Sequence, residues 1–287
     1  MKIKLALGAA VCASALSAGQ AAAADWDAPQ QPFKVHGNTY YVGPGGVSAV
    51  LVTSPAGHVL IDGGTGKSPQ QIVPHIRQLG FKVGDIKYIL ISHAHFDHVG
   101  GIAELQKLSG ATVVASTLAA PVLKTGKPTA DDPQYANLVD MPFAPVGTLH
   151  TVKDGEVLSV GPLKLTAHYS PGHTPGGTSW TWQSSENGKA LNMVYADSVT
   201  AYGDDSFRYG GDPRWPGAKA GLEHTLAMLA GLQCDILISA HPDASGLMER
   251  QAKGSFVDTN ACRAYAAKGQ ERLAAQLAEE AQRPAKK

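Results

Sequence analysis

One six-residue segment carries four side chains that can bind a metal, and it constrains the fold more than any other part of the chain. The segment is His93-Ala94-His95-Phe96-Asp97-His98. It follows the apolar run Tyr88–Ile91 and precedes two glycines and the helix-like stretch Ile102–Leu108. Imidazoles and a carboxylate crowded together in this way suit a divalent transition metal. The pattern predicts a metal-binding turn between a buried strand and a helix.

Two further histidines, His173 and His241, also come directly after predicted strands. Loops at the ends of adjacent strands lie side by side, so residues that are distant in sequence can converge there. We therefore expect two zinc ions per chain, each with three protein ligands. The first set is His93, His95 and His173, and the second set is Asp97, His98 and His241. Three protein ligands leave a position for water, which is typical of catalytic zinc sites.

Such a site would hydrolyse its substrate without a serine nucleophile. Zinc lowers the pKa of bound water from about 16 to about 7, so hydroxide is available at neutral pH. A hydroxide between two zinc ions would attack a carbonyl carbon, and Asp97 is the candidate catalytic residue that orients it or accepts its proton. The alternative from another class is a non-catalytic zinc-binding protein with a closed site, which six intact candidate ligands disfavour.

Asp62 and the segment 126–145 are further candidates for contact with the site. Asp62 follows the predicted strand His58–Ile61 and begins a glycine-rich loop. It either accepts a hydrogen bond from a ligand histidine or serves as an ordinary turn residue. Segment 126–145 contains four prolines and no clear period. We expect a flap beside the pocket, and an ordered surface excursion is the alternative.

The order of predicted elements indicates an α+β fold built as a four-layer αββα sandwich. An antiparallel meander over residues 39–61 is followed by helices. A second group of strands over residues 156–196, which includes a hairpin with its turn over Ser184–Lys189, is followed by more helices. Two such groups favour two sheets packed face to face with helices outside. Trp180 and Trp182 alternate along one strand, which predicts packing in the core. The other histidines lack ligand-like spacing and are expected on the surface or in the core.

Residues 1–24 have the pattern of a secretory signal peptide. A basic start is followed by the apolar stretch Leu5–Leu16, and an Ala-x-Ala sequence precedes Asp25. The apolar stretch is too short to span a membrane as a helix. We expect a periplasmic monomer, free of the membrane after signal removal, with a single domain over residues 25–287. The 24 basic and 24 acidic residues cancel, which gives no electrostatic reason to expect a nucleic-acid partner.

Two cysteines, Cys234 and Cys262, remain after signal removal. An even pair in an oxidising compartment is typical of a disulfide, and the alternative is two free buried thiols. Closing a loop of this length would stabilise the protein by roughly 3 kcal/mol. Neither cysteine neighbours a metal motif, so we do not expect metal binding by either.

The motif that begins at His93, together with His173 and His241 downstream, resembles the metallo-β-lactamase superfamily. The resemblance covers nearly all of residues 38–267 and implies the αββα fold. Within the superfamily the chain looks most like subclass B3. The second set has no cysteine, and Ser198 stands where other subclasses place a metal-binding cysteine. The pair Cys234–Cys262 matches the usual C-terminal disulfide of the subclass.

This resemblance implies zinc-dependent hydrolysis of the β-lactam amide in penicillins, cephalosporins and carbapenems by a bridging hydroxide, and hence antibiotic resistance. The expected partner is a small-molecule β-lactam. Ser198 and Thr200 lie where such enzymes contact the substrate carboxylate. Gln134, in the expected flap, is a further candidate for substrate contact.

Another zinc hydrolase of the same superfamily is the alternative, such as a glyoxalase II (a thioesterase) or an acyl-homoserine lactonase. Those enzymes have an aspartate that bridges both metals at about the place of Asp197. A bridging Asp197 would favour the alternative. An Asp197 that points away, with Ser198 facing the pocket, would favour the β-lactamase. Export and the disulfide disfavour a cytosolic thioester hydrolase.

Overall fold

The computed structural model describes residues 25–283, in which two β-sheets carry helices on their outer faces. The predicted signal peptide, residues 1–24, lies outside the described residues. Between residues 25 and 283, no helix is both long and apolar enough to cross a membrane. The strands are β1 (Phe33–His36), β2 (Thr39–Tyr41), β3 (Val50–Val52), β4 (His58–Ile61), β5 (Ile86–Leu90), β6 (Thr112–Ser116), β7 (Leu149–Val152), β8 (Val157–Val160), β9 (Leu163–Tyr169), β10 (Thr178–Glu186), β11 (Lys189–Ala196) and β12 (Ile236–Ser239). The helices are α1 (Pro69–Gln78), α2 (Phe96–Val99), α3 (Ile102–Ser109), α4 (Ala120–Thr125), α5 (Tyr135–Leu138), α6 (Ala218–Gly231), α7 (Pro242–Ser245), α8 (Leu247–Ala252) and α9 (Ala261–Gln282).

The first sheet contains β1 to β7 in chain order. It is antiparallel from β1 to β4 and parallel from β4 to β7. The second sheet has the order β12-β11-β10-β9-β8, with β11 and β12 parallel and the other pairs antiparallel. Parallel neighbours end at the same edge of a sheet. The segments that follow β4 and β5 are therefore adjacent, and so are those that follow β11 and β12.

Alternation of side chains along the strands creates three apolar clusters. Val50 and Val52 face the space between the sheets, whereas Leu51 packs with α1 and α3 on the outer face. Met193 also faces the space between the sheets, whereas Val194 packs with α6 and α9 on the opposite outer face. Three apolar clusters separate four layers. The structure thus confirms the α+β, four-layer αββα prediction.

The two predicted core tryptophans connect the sheets. Trp180 and Trp182 are buried in the cluster between the sheets, as expected. The Trp180 indole donates to the Ile91 carbonyl at 2.9 Å, and the Trp182 indole donates to the Thr39 hydroxyl at 3.0 Å. The bond to Ile91 fixes the end of β5 immediately before the metal motif, so core packing also positions the site.

The hairpin between β10 and β11 is longer than predicted, and its turn is shorter. The sequence predicted a turn over Ser184–Lys189, but the strands extend to Glu186 and Lys189. The turn consists of Asn187 and Gly188, whose φ angles are 52° and 79°. Positive φ at both positions is what a type I′ turn requires, and Asn-Gly is its preferred pair. Strands β1 and β7 and the short helices α2, α5, α7 and α8 were also not predicted.

Cys234 and Cys262 form a disulfide with a Cα–Cα distance of 6.2 Å. Cys234 lies just before β12, and Cys262 lies in the first turn of α9. The disulfide prediction is confirmed. The bond attaches the start of the last helix to the second sheet.

Candidate metal centre

The first group of candidate ligands is brought together by two loops. His93 and His95 follow β5, and His173 follows β9. Their potential ligand atoms all lie within 4.8 Å of one another, and all three side chains are buried. The structure therefore assembles the predicted trio of imidazoles in one place.

Each imidazole of the first group uses one nitrogen in a hydrogen bond to a residue behind it. Such bonds fix the tautomer and orient the ring, so that the other nitrogen is available to a metal. The His93 Nε2 atom is buried and has no hydrogen-bond partner among the described residues. The three bonds run from His93 Nδ1 to Asp197 Oδ1 at 2.8 Å, from His95 Nε2 to Asp132 Oδ2 at 2.9 Å, and from His173 Nδ1 to the Thr200 carbonyl at 2.9 Å.

The second group combines Asp97 and His98 of α2 with His241, which follows β12. His98 Nε2 lies 3.2 Å from His241 Nε2 and 3.2 Å from Asp97 Oδ2. His241 Nε2 lies 3.6 Å from the same carboxylate oxygen. His241 Nδ1 donates to the Gly46 carbonyl at 3.1 Å. Three potential ligand atoms thus converge here as well.

The two groups adjoin each other and differ in their access to solvent. His93 belongs to the first group, and its ligand atom also lies within 4.8 Å of those of Asp97 and His98. The side chain of His241 is 33% exposed, whereas His93 and His98 are fully buried. A substrate could therefore approach from the side of His241.

Burial sets the protonation state of the imidazoles in the first group. Desolvation lowers the pKa of His93 well below its ordinary value, and the nearby imidazoles lower it further. Desolvation also lowers the pKa of His173, to about 3. Both rings are neutral at pH 7, and neutral imidazole is the form that binds metals.

Charge in the second group favours a cation. Burial alone would raise the pKa of Asp97, but His98 and its neighbours lower it below its usual range, so the carboxylate is ionised. Burial likewise opposes a charge on His98, but the carboxylates of Asp97 and Asp62 raise its pKa to about 10. The two carboxylates thus stabilise a positive charge at this point.

The donor set fits a transition metal. Five imidazoles and one carboxylate, arranged in two adjoining groups of three, match the ligands that zinc prefers. The unpartnered His93 Nε2 atom and the neutral rings agree with this assignment. The chain therefore has a metal-binding site.

Asp62 connects the first sheet to the metal motif. It is fully buried, with φ of 60°, which is uncommon for any residue except glycine. Its carboxylate accepts hydrogen bonds from the Ser92 amide and hydroxyl, both at 2.6 Å, and from the Tyr195 hydroxyl at 2.8 Å. It also lies 3.4 Å from His98 Nδ1. The His98 Nδ1 atom has no hydrogen-bond partner among the described residues, so Asp62 lies beside a ligand histidine but its hydrogen bonds go to Ser92 and Tyr195.

The segment 126–145 borders the site, as predicted, but it is not without regular structure. It contains α5 and is anchored by Asp132, whose carboxylate accepts from both His95 and the Gln134 amide. The side-chain amide of Gln134 lies 3.4 Å from His173 Nε2. The sequence did not predict this role of Asp132, because its contact with His95 depends on the tertiary path of the segment.

Asp197 lies behind the first group. Its Oδ1 atom accepts from the Nδ1 atom of His93, which leaves the Nε2 atom facing the other ligands. Its Oδ2 atom lies close to Gly177: a Cβ atom added to this glycine would be 2.1 Å from the Oδ2 atom. Asp197 therefore orients His93 and does not lie between the two groups. The next residue, Ser198, is buried, and its amide donates to Asp197 Oδ1 at 2.7 Å.

Comparison with known proteins identifies the class. Residues 42–185 match the family described as the metallo-beta-lactamase superfamily, and the chain belongs to this superfamily. Two solved structures are similar over nearly their whole length. MEM-A1, a subclass B3 metallo-beta-lactamase isolated from a soil metagenome library, is 55% identical, with a TM-score of 0.88 over 90% of this chain and 99% of that one. The Rm3 metallo-beta-lactamase is 50% identical, with a TM-score of 0.87 over 90% and 98%. Within the superfamily, the chain is a hydrolase of subclass B3.

Curated relatives of other activities are more distant. A hydroxyacylglutathione hydrolase of Maricaulis maris (strain MCS10) is 29% identical over 182 residues, which are 63% of this chain and 58% of that protein. An N-acyl homoserine lactonase AttM of Agrobacterium fabrum is 28% identical over 152 residues, which are 45% and 57%. The chain thus spans less than two thirds of the length of these relatives.

Proposed function

We propose that this chain hydrolyses the β-lactam amide bond of penicillins, cephalosporins and carbapenems with two zinc ions. The observation that carries the choice of substrate is the position of Asp197. This residue supports His93 from behind, at 2.8 Å, instead of lying between the two groups of ligands. The strong likeness to subclass B3 metallo-beta-lactamases agrees with this choice.

Each side chain has a separate task in the proposed reaction. A zinc ion held by such ligands lowers the pKa of a bound water and polarises a carbonyl group. His93, His95 and His173 would hold one ion, and Asp97, His98 and His241 would hold the other. The ionised Asp97 carboxylate would accept a hydrogen bond from the attacking water and take its proton, which would pass to the amide nitrogen as the C–N bond of the lactam ring breaks.

Substrate contacts come from the segments beside the ligands. Ser198 and Thr200 bind the carboxylate of the β-lactam, and the Thr200 carbonyl also holds His173 in position. Gln134 contacts the substrate from the segment 126–145, close to the first group. Asp132 connects this segment to His95.

Hydrolysis of a lactone or thioester is the second candidate, because the curated relatives include both activities. A panel of substrates separates the candidates. We expect the zinc-loaded protein to hydrolyse a chromogenic cephalosporin, a penicillin and a carbapenem far faster than an acyl-homoserine lactone or a glutathione thioester. Hydrolysis of the lactone or the thioester, without turnover of any β-lactam, would refute the proposal.

We also propose that residues 1–24 direct the enzyme to the periplasm, where it acts as a monomer and confers resistance. Expression of the full chain in a susceptible Gram-negative bacterium should raise the β-lactam concentration needed to stop growth. Deletion of residues 2–24 should remove most of this protection at equal expression. Full protection by the deleted form would show that export is not needed.

A further inference from the structure

The last helix, α9, contacts the segment that follows β11 through one of its faces. Tyr265 and Gly269 are four residues apart and therefore lie on the same face. The Tyr265 hydroxyl donates to the Asp197 carbonyl at 3.0 Å. Gly269 approaches Val199 so closely that an added Cβ atom would lie 3.0 Å from the valine Cβ. The helix thus packs against the backbone of residues 197–199, beside the candidate metal centre.

Arg272 continues this face by three residues and extends it to the edge of the site. Its Nη1 atom donates to the Thr200 hydroxyl at 3.2 Å. The carbonyl of the same threonine accepts a hydrogen bond from His173. One residue, Thr200, therefore separates the guanidinium group from a candidate metal ligand.

No residue of the described part of the chain neutralises the charge of Arg272. No salt bridge to Arg272 is formed within residues 25–283, and its side chain is exposed. Arg214 and Arg283, by contrast, pair with Asp212 and Glu279. A guanidinium group offers five N–H donors in a planar arrangement that fits a carboxylate with two parallel hydrogen bonds. The position and charge of Arg272 thus suit an anionic group of a bound molecule.

The position of Arg272 is fixed by covalent and packing constraints. The disulfide at Cys262 holds the first turn of α9, and the contact at Gly269 leaves no space for the helix to move closer. Tyr265 adds a hydrogen bond between them. The flexible part is the arginine side chain itself, which can turn from the Thr200 hydroxyl to a ligand without a change in the backbone.

We propose that Arg272 binds the carboxylate of the substrate together with Thr200, and so favours anionic substrates over neutral ones. This inference rests on the proposed function, because the carboxylate belongs to the β-lactam. Arg272 does not touch the reacting bond and acts on specificity alone.

The test compares a cephalosporin that has a free carboxylate with the methyl ester of the same compound. For Arg272→Ala we expect KM for the free acid to rise roughly three- to tenfold with kcat nearly unchanged, as for the loss of one charged hydrogen bond at an exposed site. Kinetics of the ester should not change. Added salt should raise KM for the acid in the original enzyme and much less in the variant.

Two further variants complete the experiment. Arg272→Lys keeps the charge but loses the planar pair of donors, so it should restore part of the affinity for the acid. Arg263→Ala removes an equal charge from α9 at an exposed residue that forms hydrogen bonds to Asn260 and Thr259. It should change neither kcat nor KM for either substrate. Equal effects of Arg272→Ala on acid and ester, or no effect on either, would overturn the inference. Absence of turnover of both compounds by the original enzyme would instead refute the proposed function.

Discussion

At the scale of single residues, the site depends as much on the groups behind the ligands as on the ligands. In the first group, a carboxylate or a carbonyl oxygen accepts one N–H of every ring. These acceptors determine which nitrogen is free, and a ring that is held in place loses little entropy when a metal binds. Substitution of a ligand should therefore reduce metal binding and activity more than substitution of the residue that supports the ligand.

Removal of a ligand should abolish function. We expect His93→Ala to lower zinc content and activity together, the activity by more than roughly 100-fold, because even the loss of a supporting residue costs up to that factor. His224→Ala is the control, since His224 is exposed on α6. Metal analysis and cephalosporin turnover on the same samples provide the measurement. Full activity of His93→Ala would show that the ligand assignment is wrong.

Removal of a support should weaken the site without destroying it. Asp132→Ala takes away the acceptor for His95 Nε2, so we expect metal affinity to fall roughly 10- to 100-fold. Competition with a chromogenic chelator measures the affinity. Asp140→Ala, at an exposed position of the same segment, should leave it unchanged. Equal affinities for Asp132→Ala and the unchanged protein would mean that His95 needs no support.

The sequence predicted the ligands but only part of their support. The candidate ligands share a chemical type and follow predicted strands, so pattern and spacing were sufficient to predict that they cluster. Asp62 was recognised as a candidate because it also follows a strand. Asp132 lies in a segment without a period, and its contact with His95 is created by the tertiary path of that segment. Local patterns carry no information about such a contact.

At the scale of helices and strands, the helix α9 has a structural role at its start and a proposed binding role further along. Its first turn is joined to the segment before β12 by the disulfide. Tyr265, Gly269 and Arg272 then contact the segment 197–200. A helix at the end of a chain tends to fray unless it is tied down. The disulfide therefore stabilises an element that borders the active site.

Loss of the disulfide should lower stability by about 3 kcal/mol, since the bond closes a loop over a sequence separation of 28. Urea unfolding of the double variant Cys234→Ala/Cys262→Ala, beside the oxidised protein, measures the difference. Zinc should be saturating in both samples, because bound metal also stabilises the folded state. An unchanged urea midpoint would show that the disulfide does not constrain the unfolded chain as this estimate assumes.

The two strands that the sequence failed to predict have a common physical cause. β1 and β7 are four-residue strands at the two edges of the first sheet, where one partner strand is enough to define them. Such short edge strands have too few residues to show a period. The Asn187-Gly188 turn, by contrast, was predictable from its Asn-Gly pair, but the turn was predicted over the wider range Ser184–Lys189.

At the scale of the whole molecule, the four layers place the ends of distant strands together. The register of β4 beside β5 pairs Ile61 with Leu90, and that of β11 beside β12 pairs Ala196 with Ser239. Asp62 and His93 thus follow one pair of strands, and Asp197 and His241 follow the other. This architecture was predictable because the motif and the order of elements agreed, whereas the exact register depends on packing between the sheets.

The dependence of β-lactam hydrolysis on bound zinc is the most direct test of the proposed activity. Zinc is removed from the protein with EDTA, the chelator is dialysed away, and zinc is added back in steps while turnover of a chromogenic cephalosporin and bound zinc are both measured. We expect no turnover without zinc and recovery as up to two equivalents bind per chain. Turnover that survives complete zinc removal, or a fully zinc-loaded protein that leaves the cephalosporin intact, would contradict the account.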